Sequence, residues 1–68
     1  MKETLSKVLT RKRMDENLSL VKAAKITGIS RVLLWKMEAK GYTNISYETI
    51  DKLSKFLGIT TKEVRDLL

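Results

Sequence analysis

The sequence predicts an all-α fold, a compact bundle of about five short helices. Three observations point to it. A serine or threonine stands in front of each helical apolar repeat, at Thr4, Ser19, Ser30, Ser46 and Thr60. A hydroxyl there can accept a hydrogen bond from a first-turn N–H that has no partner inside the helix. The three glycines, Gly28, Gly41 and Gly58, fall where such repeats give out, and glycine adopts the left-handed backbone that stops a helix at little cost. No segment alternates apolar and polar residues in the strand period, and there is no proline.

Taken in order, Thr4 opens the first helix, with Leu5, Val8 and Leu9 on one face and its end near Asn17. Ser19 opens a short second helix that runs through Thr27. Leu20, Ala23, Ala24 and Thr27 form its inner stripe, and Gly28 stops it. Ser30 opens a third helix, to about Lys40. Leu34, Met37 and Glu38 lie on one side of it, and Arg31, Val32, Trp35, Lys36 and Ala39 on the other. Residues 41–45, Gly-Tyr-Thr-Asn-Ile, have the chemistry of a loop. Ser46 opens a fourth helix in which Tyr47, Ile50, Leu53 and Leu57 repeat at helical spacing, and Gly58 ends it. Thr60 and Glu63 have the spacing of a capping box ahead of Val64, Leu67 and Leu68 on a last short helix.

The chain has 68 residues, read here as one domain, residues 1–68. A domain this small buries only about 60% of the surface its unfolded chain exposes, so a core and a deep substrate cavity compete for the same material. Hydrophobic residues make up 43% and charged residues 32%, a balance that suits a packed globule. Cysteine is absent, so packing alone must hold the fold, as suits a reducing cytoplasm. The longest apolar run, Val32-Leu33-Leu34-Trp35, is far too short to span a membrane. The expected location is the cytoplasm, in association with the nucleoid.

Net charge is +6, and its placement is uneven. Residues 1–16 carry five bases and three acids, residues 17–45 carry five bases and only Glu38, and residues 46–68 carry four of each. The excess is confined to the first two thirds of the chain, as expected of a one-sided surface for a polyanion. Catalysis is not expected. No histidine or cysteine is present as base, nucleophile or zinc ligand, and three scattered glycines make no phosphate loop. No cofactor, metal or small-molecule ligand is expected either.

The stretch Leu20–Ala39 is the most informative. Two short helices joined by Thr27-Gly28-Ile29 are too tightly linked to lie antiparallel and must cross steeply. Ala24 is the small residue expected where their backbones approach, Gly28 the residue tolerating positive φ, and Ile29, Leu34 and Met37 the seal against the core. With alanine in the first helix of the pair, glycine nine positions into the motif and these later apolar residues, the stretch resembles the Cro/repressor type of helix-turn-helix. The likeness runs further. Leu9–Leu18 with Arg13 resembles that family's opening helix, Met37-Glu38-Ala39-Lys40-Gly41 the close of its recognition helix, and Ser46–Val64 its last two helices. Three features depart from the pattern. Thr27 stands where an apolar residue is usual, with Ile26 beside it expected to take over the packing. Lys22 replaces an acid or glutamine. The outer face of the third helix is unusually apolar.

The resemblance implies a sequence-specific, double-stranded DNA-binding transcriptional regulator, a small Cro-like repressor of a phage or mobile element. It binds as a homodimer at least on DNA. The second helix of such a pair lies in the major groove, which points to Ser30, Arg31, Val32, Trp35 and Lys36 as base readers. Arg31 can pair bidentately with guanine, and Val32 can pack on a thymine methyl. Phosphate contacts are expected from the N-terminus of the second helix, at Ser19, Leu20 and Lys22, and from Arg13, Lys40, Tyr42, Thr43 and Asn44. Arg13 and Glu38 are implied to pair, locking the recognition helix to the first. Trp35 stays open between DNA, a second protein chain and the core. Leu67, Leu68 and part of Val64 stay open between a self-contact and core closure. The rival reading is a protein–protein module, an antirepressor or a regulator docking on polymerase or another repressor, through Val32, Leu33 and Trp35.

Overall fold

The structure is a computed structural model, and it describes residues 3–68, so the first two residues of the 1–68 span lie outside them. Five α-helices run in chain order among the described residues: α1 (Leu5–Asp15), α2 (Leu20–Thr27), α3 (Arg31–Lys40), α4 (Tyr47–Leu57) and α5 (Thr61–Leu67). Each begins at the expected residue. The hydroxyls of Thr4, Ser19, Ser30, Ser46 and Thr60 accept from the backbone N–H three residues on. At α5 the Glu63 carboxylate also accepts from the Thr60 N–H, completing the capping box.

The stops are equally local. Gly28, Gly41 and Gly58 all have positive φ and end α2, α3 and α4. At the end of α1 the left-handed position falls to Asn17, with φ of 54°, a residue whose short polar side chain tolerates that region. The turn swings Leu18 back so that its N–H donates to the Arg13 carbonyl at 2.9 Å.

α1 packs on α3, α2 on α3 and α4, and α4 on α5. Every helix and the turn between α2 and α3 contribute to one core of nine buried apolar residues: Leu5, Leu9, Ala23, Ile29, Leu34, Met37, Ile50, Leu53 and Val64. The Cα radius of gyration is 10.6 Å, close to the roughly 11 Å of a compact domain of this length. α3 is therefore gripped on its inner side by two other helices and presents one free side.

Two expectations need correcting, those for Ile26 and Tyr47. Thr27 itself is buried and Ile26 is 60% exposed, so Ile26 does not take over its packing. The Thr27 hydroxyl can be enclosed because it donates to the Ala23 carbonyl at 2.7 Å and accepts from the Ile29 N–H at 3.2 Å, leaving no polar atom unmatched. Ala23 is the fully enclosed alanine of α2, while Ala24 is half-buried against the core. Tyr47 is 77% exposed. It sits at the first position of α4, ahead of the turn that meets the core, and its ring lies under the Arg65 guanidinium at 6.0 Å. Val64 is wholly buried and Leu67 is half-buried against the core, so of the three residues considered for self-contact only Leu68 stands exposed.

Candidate nucleic-acid interface

The turn of the α2–α3 pair is fixed from three directions. Gly28 has φ of 75° and its N–H closes the last bond of α2 to the Ala24 carbonyl. The Thr27 hydroxyl bridges into the turn, and Ile29 anchors it at 4% exposure. Lys52 of α4 lays its side chain against Gly28, with Nζ donating to the Gly28 carbonyl at 3.0 Å while pairing with Glu48 at 3.1 Å. Sequence spacing missed this clamp, because Lys52 lies 24 residues from the turn and reads as an ordinary exposed base of an amphipathic helix.

α3 is fixed to α1 by a polar lock. The Arg13 guanidinium donates from Nε to Glu38 Oε2 and from Nη2 to Glu38 Oε1, both at 2.9 Å, and from Nη1 to the Leu18 carbonyl at 2.8 Å. The two side chains are only 21% and 10% exposed, so Arg13 is no simple surface base. Thr10 donates to the same carboxylate at 3.2 Å, and Ser6 donates to the Glu38 carbonyl at 2.6 Å. Neither hydroxyl was singled out in the sequence. Both lie on the α1 side that faces α3, Thr10 three residues before Arg13 and Ser6 four before Thr10, which is the only signal they offered. The hydrogen bonds that Arg13 donates to Glu38 raise its pKa above the ordinary value, more than partial burial lowers it, so Arg13 keeps its proton at any physiological pH.

With its inner side locked, α3 offers its outer side. Arg31, Val32, Trp35, Lys36 and Ala39 are all exposed, while Leu34 and Met37 are buried and Leu33 is half-buried. Trp35 is 46% exposed and does not fold into the core. Lys40 Nζ stands 5.8 Å from its ring centroid, and Lys36 Nζ 5.7 Å from that of Tyr42. The apolar outer face is therefore Val32 and Trp35, with Leu33 drawn inward.

The remaining residues expected to touch phosphate frame this face. Ser19 and Lys22 are exposed at the start of α2 and Leu20 is half-buried. The Ser19 hydroxyl is occupied by the Lys22 N–H at 3.1 Å, which leaves the N–H groups of Leu20 and Val21 pointing out of the helix end. Ser30 caps α3 in the same way through Leu33 at 3.1 Å. Lys40, Tyr42, Thr43 and Asn44 are exposed beyond the other end of α3, with Tyr42 held by its N–H donating to the Lys36 carbonyl at 3.2 Å. Arg13 is spent on Glu38 and Leu18 rather than turned to solvent.

The electrostatics are lopsided. Ion pairs elsewhere tie Arg11 to Glu3, Lys12 to Glu16, Lys52 to Glu48 and Lys55 to Asp51. On α2 and α3 the only acid is Glu38, and Arg13 takes it. Lys22, Lys25, Arg31, Lys36 and Lys40 consequently have no carboxylate partner among the described residues. A surface of unpaired cations around a shallow apolar strip can receive a polyanion that also has apolar groups to offer.

Comparison with known proteins bears on this arrangement. A model of the family described as Helix-turn-helix matches residues 9–64. No curated protein and no solved structure matches. The matched span runs from the middle of α1 into α5 and contains the cap-to-cap pair of α2 and α3 with its left-handed glycine, and the chain belongs to the helix-turn-helix family of the Cro/repressor type, a family of DNA-binding transcriptional regulators.

Proposed function

We propose that the protein is a sequence-specific reader of double-stranded DNA that regulates transcription as a small Cro-like repressor, of the kind phages and mobile elements use. The observation that carries this is the outer side of α3: Arg31, Val32, Trp35 and Lys36 project from a helix whose inner side is locked by Glu38, Leu34 and Met37. Arg31 and Lys36 supply donors for guanine edges and Val32 an apolar contact, the chemistry that distinguishes base pairs in the major groove. Ser30 begins the groove-facing helix and sets its angle. Ser19, Leu20 and Lys22 at the start of α2, and Lys40, Tyr42, Thr43 and Asn44 after α3, hold the two flanking phosphate runs. Arg13 supports this face through Glu38.

One recognition helix reads only a few base pairs, so the protein acts on DNA as a homodimer on half-sites about 34 Å apart. It works in the cytoplasm, where such DNA lies, by occupying its site. No catalytic step and no small-molecule inducer enter this reading.

In vitro selection from randomised duplex DNA at about 150 mM salt, where non-specific binding is weak, tests it. Enrichment of a two-fold-symmetric motif is the expected result. Failure to enrich any motif contradicts sequence-specific reading. A second reading is favoured by one observation, the exposure of Val32 at 58% and Trp35 at 46%. In that reading the same side of α3 docks on a regulatory protein such as another repressor, and the selection would then return nothing.

A further inference from the structure

A second groove opens along the seam where α2 packs on α4. It has a volume of about 350 Å³ and is lined by Ile26, Thr27, Lys52, Lys55 and Phe56. Its floor is apolar: Ile26 stands exposed, and Phe56 is half-buried against the core. Apolar surface held open to water is unfavourable until something apolar covers it. The groove is separate from the base-reading face. Ile26 lies about 120° round the axis of α2 from Leu20, which lies against Arg31, Val32 and Trp35 of α3.

The walls are basic. Lys52 and Lys55 line the groove, and Lys12 of α1 leans over Phe56 with Nζ 5.9 Å from the ring centroid. α2 carries Lys22 and Lys25 and no acid, and no carboxylate lines the groove among the described residues. The acids that do pair with these walls, Glu16, Glu48 and Asp51, each come from one turn away on the lysine's own helix and stand in solvent. Exposed pairs of this kind add little and exchange readily for another carboxylate. The Lys52 ammonium has three protons. One is on the Gly28 carbonyl and one is directed at Glu48, which leaves one to give.

This combination selects its occupant. A second copy of the chain brings a net charge of +6 and the same basic walls, so it is repelled. The backbone of duplex DNA offers phosphates to the lysines but nothing apolar to Ile26 and Phe56. A lipid surface takes a broad apolar helix face, and here there is one isoleucine and one half-buried ring.

We propose that the α2–α4 groove docks an acidic segment of another protein, in which one bulky apolar side chain is flanked by aspartates or glutamates. The apolar side chain covers Ile26 and Phe56, and the flanking carboxylates meet Lys12, Lys52 and Lys55. The contact is smaller than a standard protein interface, so it is weak, and it is sensitive to salt. It goes beyond the reading of DNA by α3 and does not depend on it.

The test is a selection of short random peptides displayed on phage against the whole chain. Binders that also hold the double variant Ile26→Asp/Lys55→Glu are discarded. Both changes are at exposed positions, and circular dichroism confirms that the variant is folded. The peptides retained are expected to place Leu, Ile, Phe or Trp between acids. Synthesised and labelled, they should bind the parent on the order of tenfold more tightly than either single variant, and several-fold more weakly at about 300 mM than at about 50 mM salt. In amide NMR spectra of the parent they should shift Ile26, Thr27, Lys55 and Phe56. A selection that yields no peptide specific to the parent overturns the proposal, as do retained peptides without acids. Shifts centred on Arg31, Val32 and Trp35 also overturn it, because they place the peptide on the α3 face instead.

Discussion

A single hydroxyl decides how the α2–α3 turn is built. Thr27 is buried with its oxygen between the Ala23 carbonyl and the Ile29 N–H, whereas a valine of the same shape would leave the Ile29 N–H enclosed without an acceptor. Such an orphaned group costs about 1–3 kcal/mol. Thr27→Val is therefore expected to lower the melting temperature by about 5–15 °C, at the roughly 4–8 °C per kcal/mol of a domain this size. A calorimetric melt checks it, and an unchanged or higher midpoint would show that the hydroxyl is dispensable. The same residue marks where sequence reading stops. Helical spacing places position 27 inward, but apolarity favours Ile26, and the choice depends on a hydrogen-bond path that exists only once the turn is formed. Tyr47 misleads in the opposite direction: it has the right spacing for the core of α4 but stands one turn too early to meet it.

Between elements, the lock of α1 on α3 carries the positioning. Glu38 receives Arg13 and Thr10, so Glu38→Ala strands a guanidinium that is only 21% exposed. Losing one partner of a fully buried pair costs about 3–5 kcal/mol. Partial exposure reduces this to about 2–3 kcal/mol, against a total of about 3–10 kcal/mol for a chain of this length. Urea unfolding should show that loss, and DNA affinity should fall with it as α3 loosens. The double variant Arg13→Met/Glu38→Leu should lose less than the two single changes together. Equal stability of Glu38→Ala and the parent would mean that the lock contributes nothing. Helix starts and stops were legible because caps and left-handed residues are local devices. The lock was legible only through family resemblance, since nothing near Arg13 in sequence names Glu38. Ser6, Thr10 and Lys52 were not legible, because their partners lie 24 or more residues away.

At the scale of the molecule, charge is sorted. The C-terminal third is neutral and pairs two of its four bases with its own acids, and the α2–α3 face keeps its cations open. If Lys22, Lys40 and one further base neutralise phosphates in each protomer, a dimer should lose affinity with a slope of log Ka against log salt of about −5. Lys22→Gln should flatten that slope by about 1 per protomer and weaken all sequences alike. A slope unchanged by Lys22→Gln would remove Lys22 from the phosphate contacts. The central claim is that the outer side of α3 reads base edges, and Arg31 is the residue on which it turns. The measurement that bears on it most directly is the affinity of wild type and Arg31→Ala for the selected operator and for every single-base-pair variant of it. The account predicts that wild type loses about 10–100-fold when one guanine–cytosine pair is changed, the value of about 1–3 kcal/mol for a bidentate contact. Arg31→Ala should be weaker and indifferent at that one pair alone. An Arg31→Ala protein that is uniformly weaker, with its base preferences intact at every position, would contradict the claim and reduce Arg31 to a phosphate contact.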